Sequence, residues 1–75
     1  MAHIKVPRDP RERIAWIKYQ LELNGSSFAE ISREGGVSRT VVRRALVIKY
    51  PKWERAIAAK INVPADVIWP ERYAA

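Results

Sequence analysis

Between Arg39 and Arg55 the chain places six basic side chains, Arg39, Arg43, Arg44, Lys49, Lys52 and Arg55, against one acid, Glu54. Such a concentration of one sign points to a polyanionic partner, and nucleic acid is the simplest one. Guanidinium groups suit bidentate hydrogen bonds to guanine O6 and N7, and a threonine such as Thr40 can hydrogen-bond a base edge or touch a thymine methyl. Arginines with nothing to orient them would be only a solvated face, so what positions them matters. Bond-making chemistry has little to draw on. The 75 residues include no cysteine and a single histidine, His3, which leaves neither a thiolate zinc site nor a familiar histidine set. Glu30 and Glu34 stand one helical turn apart, but the clustered carboxylates of two-metal strand transfer are missing. No catalytic residue, metal or cofactor is expected, and the chain is not expected to be an enzyme.

The elements around these residues read as helices, with no alternating strand period. Asp9-Pro10 opens the first, with Glu12 placed to complete a capping box, and Ile14, Ile17 and Leu21 recur at helical spacing. Trp16 and Leu23 could widen that stripe. Asn24-Gly25 ends it, since both residue types tolerate a left-handed C-cap. Ser27 opens a second helix with Glu30 at the reciprocal capping position, and it ends before Gly35-Gly36. Ser38 caps a third, expected to run to about Val47, with Val41, Val42, Ala45, Leu46 and Ile48 on its apolar side and Pro51 ending the segment. Pro51 also opens a fourth helix, whose Trp53, Ile57 and Ile61 make a buried stripe. A brief fifth is expected over about Pro64 to Trp69, stopped by Pro70. The expected class is all-α, a compact five-helix domain spanning 1–75, with 1–8 and 70–75 as flexible tails.

Two short helices joined by a glycine-containing turn, the second carrying arginines, make the helix-turn-helix pattern. Ser32 and Gly35 are small where the helices approach, Gly36 supplies the positive φ of the turn, and Val37 plugs the turn against the core. A helix of ten residues would be about 15 Å long, and a major groove about 12 Å wide admits it. Arg39, Thr40, Arg43 and Arg44 are therefore expected to meet base edges, Arg44 being equally suited to hold phosphate. Ser26, Ser27 and Ser38 at helix starts, and Lys49, Lys52 and Arg55 beside the reading helix, are the expected contacts to the DNA backbone. Both Ser27 and Ser38 also have the plainer role of helix caps. Trp16, Trp53, Trp69, Tyr50 and Phe28 could stack on bases, but their helical spacing favours core packing. His3, Lys5 and Arg8 could form a minor-groove arm, although a disordered tail is the simpler expectation.

A chain this short buries only about 60% of its unfolded surface, so its aromatic residues must carry much of the core. The N-terminal sequence lacks the apolar run of a signal peptide, and no stretch reaches the roughly 18 apolar residues of a membrane span. A cytoplasmic protein with no membrane partner is expected.

The segments "GGVSRTVVRRAL" and "YPKWERAIAAKINVPADVIWPERY" resemble the Ner repressors of Mu-like transposable phages and their bacterial homologues. The likeness runs from about Ile14 to Tyr73 and is strongest after Pro51, ending in "IWPERY". "IAAKINVPADVIW" is also similar to the fourth and fifth helices of the wider λ-repressor-like family. The resemblance implies a helix-turn-helix domain that binds double-stranded operator DNA and represses early phage transcription, the transposase genes included. It further implies copies that pair on DNA while associating weakly in solution. Its recognition helix corresponds to Ser38–Val47, and the departures at Arg39, Val41, Arg43 and Arg44 mean that no operator sequence comes with it. Two other readings are an accessory DNA-binding factor of a transposition or recombination complex, and an RNA-binding or purely interaction module. The second would call for exposed aromatic platforms.

Overall fold

The computed structural model describes residues 5–74; His3, one of the residues considered for an arm, lies outside them. Helix α1 spans Pro10–Leu23 and α2 spans Phe28–Gly35. Helix α3 covers Arg39–Arg43 and passes directly into a 3-10 turn over Arg44–Leu46. Then come α4 (Pro51–Ile61), α5 (Ala65–Ile68) and α6 (Pro70–Tyr73). The fold is all-α, as the sequence pattern requires, with one short helix more than expected.

Local signals explain most of the boundaries. The Asp9 carboxylate accepts from the Arg11 and Glu12 amides, both at 3.1 Å, and satisfies donors that the first turn of α1 leaves open. At the other end Gly25, not Asn24, takes the left-handed conformation. Ser27 caps α2 by accepting from the Glu30 amide at 3.0 Å, and Gly36 closes it at φ 70°. Pro51 occupies the first position of α4, and Asn62 ends that helix at φ 59°, where asparagine is better tolerated than other side chains.

The core gathers one stripe from each long helix. Ile17 and Leu21 of α1, Ile31 of α2, Val42 of α3 and Trp53, Ile57 and Ile61 of α4 are buried together with Ile68 and Trp69. Trp53 and Trp69 are core residues, while Trp16, Phe28 and Tyr50 are half-buried against the same cluster. Two apolar expectations fail. Leu23 is exposed because it lies about 200° around the helix from buried Leu21. Ile48 is exposed because the third helix has already ended.

That ending is the main correction. Helical geometry stops at Leu46, not Val47, and only Arg39–Arg43 is α-helical. The 3-10 turn tightens the chain so that Ala45 and Leu46 both enter the core. Val47 is left 71% exposed. The α-helical piece and the turn together are about 13 Å long, still a fit to a groove about 12 Å wide.

The C-terminal segment also departs from the expected tail. Pro70 both stops α5 and opens α6. Glu71 pairs with Arg13 of α1 at 2.6 Å, and Arg72 and Tyr73 reach Glu54 of α4. At the N-terminal end of the described chain, the Pro7 and Arg8 carbonyls accept from the Arg13 guanidinium.

Candidate nucleic-acid interface

The turn between α2 and α3 is built from three residues with separate tasks. Gly36 takes the left-handed conformation at φ 70°, which costs a glycine little. Val37 is half-buried against the core. Ser38 caps α3 by accepting from the Val41 amide at 3.4 Å. The small residues expected at the helix crossing serve different neighbours. Ser32 is buried and donates to the Ala29 carbonyl at 2.8 Å. Gly35 sits under Trp53, whose indole occupies the space a β-carbon would need. Its smallness therefore lets α4, not α3, approach α2.

Val42 and Ala45, both without measurable exposure, pin the recognition segment inward. Arg39, Thr40, Arg43 and Arg44 consequently face solvent. The four ion pairs among the described residues join Arg13 to Glu71, Arg33 to Glu30, Lys60 to Glu34 and Arg72 to Glu54. None of the six basic residues between Arg39 and Arg55 takes part. The carboxylates of α2 and α6 neutralise other cations, which leaves the recognition segment with uncompensated positive charge. Arg43 stands over the Phe28 ring at 6.0 Å, a cation–π contact that holds its guanidinium beside the start of α2.

The remaining expected contacts lie at the helix starts and along the approach to α4 and its first turns. Lys49 and Lys52 are exposed at the loop and first turn leading into α4, with the Lys52 ammonium 5.1 Å from the Trp53 ring. Arg55 borders a hollow lined by Ala58, Ala59, Asn62 and Val63. Two hollows lie beside the recognition segment, one with Arg39 and Arg43 and one with Thr40, Arg43 and Arg44, and neither includes Arg55. Ser27 and Ser38 use their hydroxyls as caps. The Ser26 hydroxyl is buried, so it is turned away from any phosphate at the surface.

Sequence reasoning missed a buried polar centre behind the site. Glu54 has no measurable exposure. Its carboxylate accepts from the Tyr50 amide at 2.5 Å, from Arg72 Nη1 at 3.1 Å and from the Tyr73 hydroxyl at 2.7 Å. Burial alone would raise the Glu54 pKa, but the hydrogen bonds from Tyr73, the Tyr50 amide and Arg72 outweigh it and hold the carboxyl below the ordinary glutamate value. Tyr73 is pushed up, first by its hydrogen bond to Glu54 and then by desolvation. One available signal was Pro70-Glu71, a helix opening with an acid in the first turn.

The arrangement is that of a helix-turn-helix DNA-binding domain. A family described as "Winged helix-turn-helix DNA-binding" matches residues 13–75, and the chain belongs to it. Among the described residues there is no strand, so α4, α5 and α6 flank the motif in place of a β wing. The similarity extends to particular proteins. The Mu-like prophage FluMu DNA-binding protein Ner of Haemophilus influenzae is 42% identical over 55 residues, 73% of this chain and 62% of that protein. The negative regulator of transcription of Escherichia phage D108 is 35% identical over 54 residues, 72% of this chain and 74% of that protein. Sugar fermentation stimulation protein B of Escherichia coli K12 is 40% identical over 53 residues, 71% of this chain and 58% of that protein. The Ner resemblance read from the sequence thus holds. The chain spans less than two thirds of the Haemophilus protein and of the E. coli protein. No helix among the described residues is long and apolar enough to cross a membrane.

Proposed function

We propose that the chain is a sequence-specific transcriptional repressor of the Ner type, which binds double-stranded operator DNA with its Arg39–Leu46 segment in the major groove. The observation that carries this reading is the row of exposed side chains without ion pairs, Arg39, Thr40, Arg43 and Arg44, on the segment that follows a glycine turn. A helix presented in this way reads bases with its N-terminal residues. Arg39, Thr40 and Arg43 are the base readers, and Arg44 reads a base or holds phosphate. Lys49 and Lys52 hold the flanking backbone, and the starts of α2 and α3 offer amides to phosphates. Arg55, exposed on α4, is a further backbone contact. No catalytic step and no cofactor are assigned, and the regulator works on the bacterial nucleoid in the cytoplasm.

Copies pair on DNA. Selection of bound duplexes from a random pool, at low and high salt, tests the reading. The expected product is an enriched motif with half-sites about one turn, or 34 Å, apart. A pool that binds at low salt with no enriched motif would overturn sequence-specific repression. Footprints inside a promoter support repression, whereas footprints at the ends of a mobile element would replace it with the accessory role.

A further inference from the structure

The recognition segment is too short to stand by itself. A five-residue α-helix followed by one 3-10 turn is far below the length at which a helix is stable in water. Its direction must therefore be set by what holds its two ends. Ser38 caps the start. At the far end the Ala45 carbonyl is one of the groups that a helix terminus leaves without an internal partner, and it accepts a hydrogen bond from Arg72 Nη1. Arg72 comes from α6, the segment of "IWPERY" that repression as described does not use.

The same Arg72 nitrogen donates to Glu54 at 3.1 Å, and its guanidinium carbon lies 5.1 Å from the Trp69 ring. Glu54 in turn accepts from the Tyr50 amide, which belongs to the strand of chain between the recognition segment and α4. The Tyr73 hydroxyl completes the carboxylate at 2.7 Å. Both ends of the Val47–Tyr50 connection are thus tied to one buried centre. Arg72 grips Ala45, two residues before it, and Glu54 its last amide. The Arg13–Glu71 pair also holds α6 against α1.

We infer that Glu54, Arg72 and Tyr73 are positioning residues for DNA recognition: they form a clamp through which α6 fixes the C-terminal end of the recognition segment. The clamp acts on sequence preference and not on general affinity for DNA, because it supplies no charge to the interface: Arg72 is already paired to Glu54. This role rests on the proposed DNA-reading function.

Arg72→Lys is the informative variant. It keeps the charge, but the lysine side chain ends one bond short of Nη1, the nitrogen that serves both the Ala45 carbonyl and the Glu54 carboxylate, and it lacks the planar group beside the Trp69 ring. Binding to the selected duplex and to a random duplex is measured for the wild-type chain and for the variant. Amide hydrogen exchange is followed at Val47 and Ile48, whose amides donate to the Arg44 carbonyl at 3.1 and 2.9 Å. The expected result is an affinity for the selected duplex lower by about tenfold, the factor a lost hydrogen bond to a charged group commonly carries. Random-duplex affinity stays unchanged, and exchange at Val47 and Ile48 quickens while that of core amides such as Ile57 does not. Unchanged affinities, or equal losses on both duplexes, would overturn the clamp. If Arg72→Lys fails to fold, Tyr73→Phe removes a donor from the same carboxylate without touching charge, and the same pattern is expected at smaller amplitude. A wild-type chain without sequence preference would overturn the DNA-reading function instead. The clamp would then stand or fall on the exchange at Val47 and Ile48 alone.

Discussion

Arg43 is held over the Phe28 ring at 6.0 Å, so its guanidinium is partly oriented before a duplex arrives. An oriented guanidinium loses less freedom on forming a bidentate contact than a mobile one does. Arg43→Ala is therefore expected to weaken binding to the selected duplex by about 1–3 kcal/mol and to relax preference at one base position. Competition with duplexes altered at single positions measures this. Equal losses on selected and random DNA would remove Arg43 from the base readers. Lys52→Ala is expected to act differently, weakening all duplexes alike and reducing the slope of binding against salt by about one phosphate contact. A titration at several salt concentrations separates the two residues.

At the scale of elements, the helix-turn-helix depends on a glycine whose reason lies outside the motif. A methyl group on Gly35 would run into the buried Trp53 indole of α4. Gly35→Ala should then destabilise the domain by about 1–3 kcal/mol through overpacking. Gly36→Ala should cost about 1 kcal/mol for a different reason, the left-handed backbone at φ 70°. Denaturant unfolding reads both, and a tryptophan fluorescence change confined to Gly35→Ala would tell overpacking from backbone strain. Much of this level was legible in the chain. The caps at Asp9, Ser27 and Ser38 and the proline starts at Pro10 and Pro51 use short-range chemistry, and each falls where the pattern placed it. The end of the recognition helix was not legible, since no Gly, Asn or Pro marks it and Pro51 lies beyond.

For the whole molecule, the buried Glu54 centre ties stability to pH. The folded-state pKa of Glu54 is lowered, so its carboxylate binds protons less readily in the folded chain than in the unfolded one. Its contribution is present above the ordinary glutamate range and is lost as pH falls through the lowered folded value. Glu71, held below its ordinary value chiefly by the hydrogen bond from Arg13, adds in the same direction. Tyr73 works at the opposite end of the scale. Its pKa is raised, so its contribution is present below the unfolded tyrosine value and is lost as pH climbs through the folded one. Thermal unfolding across pH should show a plateau through neutrality, with falls on both the acid and the alkaline sides. Glu54→Gln is expected to lower the plateau by about 1–3 kcal/mol and to flatten the acid fall. An unchanged acid limb in that variant would show that other carboxylates set it.

By itself the sequence determined the helical class, the caps, the left-handed turn at Gly36, the inward stripe of Val42 and Ala45, and the outward facing of Arg39, Thr40, Arg43 and Arg44. Each of these follows from interactions within a turn or two of helix, where residue type and spacing are nearly the whole cause. Only the tertiary structure decided that Gly35 serves Trp53, and that "PERY" is a packed helix and not a tail. It alone joined Arg72 to Glu54, 18 residues away, and to Ala45, 27 residues away. The physical reason is distance along the chain. A buried carboxylate in the sequence looks like any other acid of an exposed helix face, and its partners become visible only when the fold has removed water from around it.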